Sequence, residues 1–409
     1  MKEESDFPFV FNADIVLNVL NRNLDPRDLA NLEATCTFFK NPTNLLPGPD
    51  SPITETAALN MCHARPIFQQ ATPHERAEIK RWCGGSWKLA LRFLLAGEAA
   101  RGRARAPQVL AGADHSVAVA SRGAVYSFGA NHKGQLGHGA FENEHAPREV
   151  EALRGVRVVQ AAVGKDSTLL VSEAGRVYAC GRKSFGYGGV EGGSEGVAVP
   201  QMVEALRDVF VVEAAIGKFF AAVLSVEGKV YTFCWGKDGR VGHGSDVGDE
   251  TPRLLVGGGI EDLPVVQISA GNCYLLALVF QPSGMSVYSV GCGLGGKLGI
   301  GTVKNHYHPQ KIEHFQTLNL QPVSISAGAW HAAVLGLDGR VCTWGWGNTG
   351  CLGHGNKDNM MVPTVIEGLE HVKVVHVIAG VFTTFLVTED GDVYSFGIRI
   401  YSPGPEGQV

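Results

Sequence analysis

Histidine recurs at matched places in this chain. His138, His243 and His354 each stand in a Gly-His-Gly turn, and His115 and His331 each stand three residues after a glycine. A metal ion needs three or four such ligands converging within bonding distance. Matched positions of successive sequence copies lie too far apart for that, so these side chains are expected to pin loops by hydrogen bonds. Gly192-Gly193-Ser194-Glu195-Gly196 has the G-x-S-x-G spacing of a nucleophile elbow. It lies in a glycine-rich insertion, with no strand-to-helix turn to strain the serine. Gly291-Cys292-Gly293-Leu294-Gly295-Gly296 has G-x-G-x-x-G spacing and follows a strand. No helix follows whose N-terminus would hold a pyrophosphate. H-E-x-x-H, Walker-loop and paired-carboxylate patterns are absent from the sequence. The expectation is of no catalytic residue, no metal and no cofactor: a non-enzymatic protein.

The nine cysteines are odd in number and contain no C-x-x-C pair. Most fall inside strand patterns or beside glycines (Cys180, Cys234, Cys273, Cys292, Cys342), which reads as reduced, small core residues of an intracellular protein.

The elements that would carry these residues form a repeat. An opening glycine recurs at Gly112, Gly164, Gly217, Gly271, Gly328 and Gly380, at intervals of 52, 53, 54, 57 and 52 residues. Each is followed by an apolar run, an X-Gly turn (Arg122-Gly123 through Asp390-Gly391) and a second apolar run. Such a pair joined by X-Gly predicts a β-hairpin, because glycine supplies the positive φ of the turn. A closing glycine ends each second run: Gly129, Gly181, Gly236, Gly291, Gly345 and Gly397. Then come LGHG or a degenerate form of it, and a proline (Pro147, Pro200, Pro252, Pro309, Pro363). Repeats of about 50 residues built only of short strands predict β-propeller blades of four antiparallel strands. Each blade buries its faces on its neighbours.

On these residues the repeat resembles that of the regulator of chromosome condensation family, over about three quarters of the chain. The resemblance implies a seven-bladed β-propeller. The fold expected is mainly β, with blades over 107–397 (five complete and a partial sixth), a divergent tail over 398–409 and a small helical region ahead of them. The count implies a truncated ring of seven, an open arc with an exposed strand edge; a closed six-bladed ring is the alternative.

Residues 1–106 are different in kind. Glycine is nearly absent before Gly84, and Asn12 and Asp25-Pro26 read as helix starts. The run Leu24–Phe39, LDPRDLANLEATCTFF, resembles an F-box, the helical motif that docks on the Skp-type adaptor of cullin ubiquitin ligases. The resemblance covers about 35 residues, Phe9 to Asn44, places an F-box-like helical motif at 1–48 and implies adaptor contacts from Ile15, Val16, Leu20, Leu24, Pro26, Leu29, Leu32 and Phe39. Phe11-Asn12-Ala13-Asp14 stands where that motif has a leucine-proline entry. Over 49–106, Ser51-Pro52 starts a helix to about Cys62, and Thr72-Pro73-His74-Glu75 is a capping box for a helix to about Cys83. Trp82 and Trp87 are expected to anchor this linker region to the propeller.

Charge narrows the partners. Net charge is −5, and residues 1–106 hold 13 basic against 12 acidic residues, leaving the repeats at −6. That balance argues against nucleic acid bound on a broad basic face. The chain lacks an apolar run of membrane-spanning length, and its acidic N-terminus lacks an h-region, which points to a cytoplasmic or nuclear protein. The founding relative's nucleotide exchange on a small GTPase is the alternative activity, but no long wedge-like insertion is present. A plant ultraviolet-B photoreceptor of the family uses tryptophans after the opening glycines. Here those slots hold one tryptophan, Trp330, which argues against that photochemistry. The arrangement resembles plant members with an F-box-like N-terminus: an interaction module whose propeller takes a protein partner, with inserts at Gly188–Ala198 and Ser245–Glu261 as candidate contacts.

Overall fold

A computed structural model describes residues 53–95 with short gaps, and 108–398 except 183–195, 235 and 282–283. The chain divides into two units, Met1–Leu95 and Ala96–Val409.

In the first unit, helix α1 spans Ile53–His63 and helix α2 spans Pro73–Trp82. The expected capping box forms. Thr72 Oγ1 accepts from the Glu75 amide at 3.2 Å, and Glu75 Oε2 accepts from the Thr72 amide at 2.6 Å. Such a cap stabilises its helix by about 1 kcal/mol. Trp87 packs edge-on to Phe68, and its amide donates to Glu55 at 2.6 Å.

Among the described residues, the second unit is a β-propeller of six blades: five four-stranded antiparallel sheets and one three-stranded sheet. Strands follow one another in sequence order within each sheet. The inner strands are Gln108–Ala111, Val158–Val163, Val211–Ile216, Val265–Ala270, Pro322–Ala327 and Val374–Ala379. Each precedes its opening glycine. The X-Gly turns have positive φ as expected, from +72° to +138°. The recurring prolines lie in the outer strands, where a missing amide costs no ladder bond.

Three expectations need correction. In blade 3 the closing position is Cys234, not Gly236. Cys234 pairs with Phe220 as Gly181 pairs with Ser167, and it takes φ +86°, whereas Gly236 has φ −83°. The register, not the nearest glycine, decides which residue bends. Ser245–Glu261 is no loop insert, because it contains the outer strand Asp249–Leu254. Its glycines Gly257, Gly258 and Gly259 made a strand-plus-turn read as a loop. Cys273 and Cys292 are half-buried, unlike Cys180, Cys234 and Cys342 in the blade cores.

Neighbouring blades supply the core. One cluster joins Leu169, Val177 and Phe233 of blades 2 and 3 to Ile268 and Val290 of blade 4, and others join blades 1 and 2 and blades 5 and 6. The second strands of blades 2, 3 and 5 are buried at every residue, as a sheet covered on both faces requires.

Candidate functional site

The opening glycines surround a central funnel of about 410 Å³ to which all six blades contribute. None has a positive φ; what they supply is room. A Cβ on Gly217 would come within 2.5 Å of the Gly271 carbonyl, and Cβ atoms on Gly112, Gly271 and Gly328 would strike the carbonyls of Gly164, Gly328 and Gly380. Gly164 is crowded instead by Ile216 of blade 3. Gly380 meets only its own blade's Thr383 carbonyl, at 3.2 Å.

Four residues before the opening glycine in each of the first four blades, a polar side chain clamps the next blade, Gln108 donating to the Val159 carbonyl at 3.1 Å. Gln160 exchanges two hydrogen bonds with Ala214, at 3.0 and 3.1 Å. Glu213 and Gln267 accept from the amides of Ile268 and Ile325.

The histidines fall into two structural classes. Those of the Gly-His-Gly turns pin the loop to their own third strand, as expected. His138, His243 and His354 lie 2.9–3.0 Å from the hydroxyls of Ser127, Thr232 and Thr343, which donate to Leu136, Val241 and Leu352 carbonyls. Burial lowers the pKa of all three. The other two bridge blades. His115 Nε2 lies 2.8 Å from Thr168 Oγ1, and His331 Nε2 lies 2.8 Å from Thr384 Oγ1. Each threonine donates its proton to a carbonyl, of Gln135 or Cys351, so the imidazole is the donor in the bridge. Burial pushes both imidazoles down to about 4, Asp114 and Asp166 opposing this at His115. They are neutral at physiological pH, with Nδ1 buried and unpaired. Sequence reasoning missed the bridge. The signal was that His at the third position after one glycine is matched by Thr at the fourth position after the next.

The variable chemistry sits one step further round the rim. Two residues after the opening glycine in blades 1, 2, 4, 5 and 6, the chain faces the residue after the closing glycine across the hairpin. Backbone bonds mark this slot: Ala130, Arg182, Cys292, Trp346 and Ile398 amides donate to Asp114, Asp166, Cys273, Trp330 and Phe382 carbonyls at 2.8–3.1 Å. The slot holds an ion pair in blade 2, where Arg182 contacts the buried Asp166 at 2.6 Å. Burial alone would raise the Asp166 carboxyl, but Arg182, Lys165 and His132 outweigh it and hold its pKa below the ordinary value. Blade 5 holds an edge-to-face ring pair, Trp330 on Trp346, with centroids 5.0 Å apart. Cations lie over the rim rings: Arg182 and Lys218 over Phe219 at 5.6 and 5.3 Å, and the buried Lys297 over Trp330 at 4.8 Å. Trp344, in contrast, is a core residue whose indole N–H donates to the Lys297 carbonyl at 3.0 Å.

Gly291–Gly296 is an ordinary blade turn of strand end and one short 3-10 turn. Ser194, and the adaptor residues Ile15, Val16, Leu20, Leu24, Pro26, Leu29, Leu32 and Phe39, lie outside the described residues. Among the described residues, no group of three or more His, Cys, Asp or Glu side chains is placed to hold a metal, and no helix is long and apolar enough to cross a membrane.

Comparison with known proteins fits this architecture. The family model for the RCC1-like domain matches residues 91–401. The chain belongs to the RCC1-like domain family. Its RCC1-like propeller is 32% identical over 291 residues to the ultraviolet-B receptor UVR8 of Arabidopsis thaliana, across 71% of this chain and 64% of the receptor. It is 30% identical over 286 residues to the E3 ubiquitin-protein ligase HERC2 of Homo sapiens, across 69% of this chain but 6% of the ligase. The chain therefore spans less than two thirds of either relative. Among solved structures, human WBSCR16 superposes with a TM-score of 0.60 at 25% identity, covering 69% of this chain and 72% of that one. Prp20p of Saccharomyces cerevisiae gives 0.60 at 23%, covering 71% of each, which shows the shared fold.

Proposed function

We propose that this RCC1-like propeller is a non-enzymatic interaction module that recognises a protein partner at the funnel rim. The observation that supports this reading is the rim slot. A scaffold of repeated glycines, clamps and pinned loops displays a different residue pair on each of blades 1, 2, 4, 5 and 6. Phe219, Trp330, Trp346 and Phe382, with Arg182 and Lys218 among them, have the aromatic-cation makeup of interaction hot spots. The cations favour a partner segment carrying carboxylates beside apolar residues.

The N-terminal resemblance adds a second contact. In this reading the F-box-like run docks an Skp-type adaptor, as in plant family members so equipped, and the protein works in the cytoplasm or nucleus. Exchange on a small GTPase is the competing activity. The solved structure of Prp20p is described with its binding to Gsp1p and histones, and its likeness to this chain extends to the fold. Affinity capture with mass spectrometry separates the readings. Recovery of an Skp-type adaptor, lost on Leu29→Asp and kept on Trp330→Ala, supports the two-contact account. Absence of an adaptor together with accelerated GDP release from a GTPase contradicts it.

A further inference from the structure

We propose that Cys273 and Cys292 form a peroxide-oxidisable dithiol at the rim, closing to a disulfide across the hairpin of blade 4. The inference rests on the register of that blade and is independent of any partner.

Tyr274 pairs with Gly291 in the antiparallel ladder, so the residues just outside them, Cys273 and Cys292, stand opposite each other. The Cys292 amide donates to the Cys273 carbonyl at 2.9 Å, which fixes that opposition at the rim. Directly opposed Cα atoms of antiparallel strands lie about 4.5–5.5 Å apart, inside the range of about 4.4–6.8 Å that a disulfide spans. The same slot brings side chains together elsewhere: the Arg182–Asp166 ion pair in blade 2 and the Trp330–Trp346 ring pair in blade 5. Among the described cysteines, access singles these two thiols out. Both are half-buried, whereas Cys62, Cys83, Cys180, Cys234, Cys342 and Cys351 are buried. Burial raises the thiols of Cys62, Cys83, Cys180 and Cys342 to about 12, where thiolate is scarce.

The oxidant is hydrogen peroxide. One cysteine sulfur, as thiolate, attacks a peroxide oxygen; the O–O bond breaks, hydroxide leaves and is protonated to water, and a sulfenic acid remains. The second sulfur attacks the sulfenic sulfur. The S–S bond forms, the S–O bond breaks, and a second water leaves with the thiol proton. Two thiols and one peroxide thus give one disulfide and two waters. The bridge ties the start of the strand Tyr274–Gln281 to the end of Gly284–Gly291. It lies beside Asn272, which lines the funnel and whose carbonyl accepts from the Lys218 amide of blade 3.

The test is peptide mapping of the full chain. Trypsin leaves Leu254–Lys297 as one peptide containing these two cysteines and no others. After mild peroxide, native iodoacetamide labelling of this peptide should fall about ten-fold, in step with loss of two hydrogens from its mass. Dithiothreitol should restore both. In Cys292→Ser, Cys273 should instead pass to sulfinic acid or couple to a small thiol. Unchanged labelling of the wild type, or independent conversion of both thiols to sulfinic acid with no disulfide, would overturn the proposal.

Discussion

Val125–Gly129 and Val393–Gly397 are the same five residues, Val-Tyr-Ser-Phe-Gly, in the third strands of blades 1 and 6. Their surroundings differ throughout. Val125 is 2% exposed, inside a cluster with Val158, Ala161 and Leu170 of blade 2, whereas Val393 is 63% exposed. Ser127 is buried, donates to the Leu136 carbonyl and meets His138, whereas Ser395 lies open. Phe385 on the strand beside Val393 is also exposed. A blade's sequence sets its hairpin; the next blade sets what is core. Blade 6 has its inner face covered by blade 5 and its other face uncovered.

This contrast can be broken by paired substitutions. Val125→Asp places a carboxylate in an apolar cluster and should cost about 4 kcal/mol or more, enough to abolish a cooperative melt. Val393→Asp, the same change in the same pentapeptide, should stay within about 0.5 kcal/mol. Equal destabilisation in denaturant titrations would mean that blade 6 is covered in solution.

The blade junctions offer a pH test. His115 and His331 have folded pKa values of about 4, below the ordinary 6.5, so the unfolded chain binds the extra protons. Their contribution is complete above about pH 6.5 and is lost as pH falls toward 4, by about 3 kcal/mol for each histidine. Carboxylates titrate over the lower part of that range too, so the difference between wild type and His115→Gln or His331→Gln is the quantity to measure. Each variant should flatten the acid limb of stability against pH; superimposable limbs would contradict buried neutral bridges.

The funnel glycines sharpen the comparison further. Gly271→Ala drives a methyl into the Gly328 carbonyl and the Tyr274 ring, and should cost about 2 kcal/mol. Gly380→Ala meets only Thr383 at 3.2 Å and should cost less than about 1 kcal/mol. Thermal melts of the two variants rank them, and the reverse order would mean that the glycine at blade 6 also faces a neighbour.

Much of this molecule was legible in local sequence, because its signals are local. X-Gly turns, outer-strand prolines, the Thr72–Glu75 box and the loop-pinning histidines each depend on residues a short span apart. What escaped depends on pairing across longer distances. Cys234 looks like a residue before a closing glycine until the register shows it bending in that glycine's place. The His115–Thr168 and His331–Thr384 bridges join positions 53 residues apart. The rim slot was equally hidden. Asp166–Arg182, Cys273–Cys292 and Trp330–Trp346 look unrelated until the hairpin register lays them on one position. The Asp249–Leu254 strand was masked by the glycines that follow it.

The central claim is that the rim slot, rather than the outer blade edges, meets the partner. Its most direct test is quantitative capture by the full chain, comparing wild type, Phe219→Ala with Trp330→Ala, and the outer-surface variant Lys373→Ala with Glu389→Ala. The account predicts one set of proteins depleted by about ten-fold or more in the rim variant and retained by the outer one, since hot-spot aromatics each contribute about 2 kcal/mol. Equal capture by the rim variant, with a native melt, would contradict it.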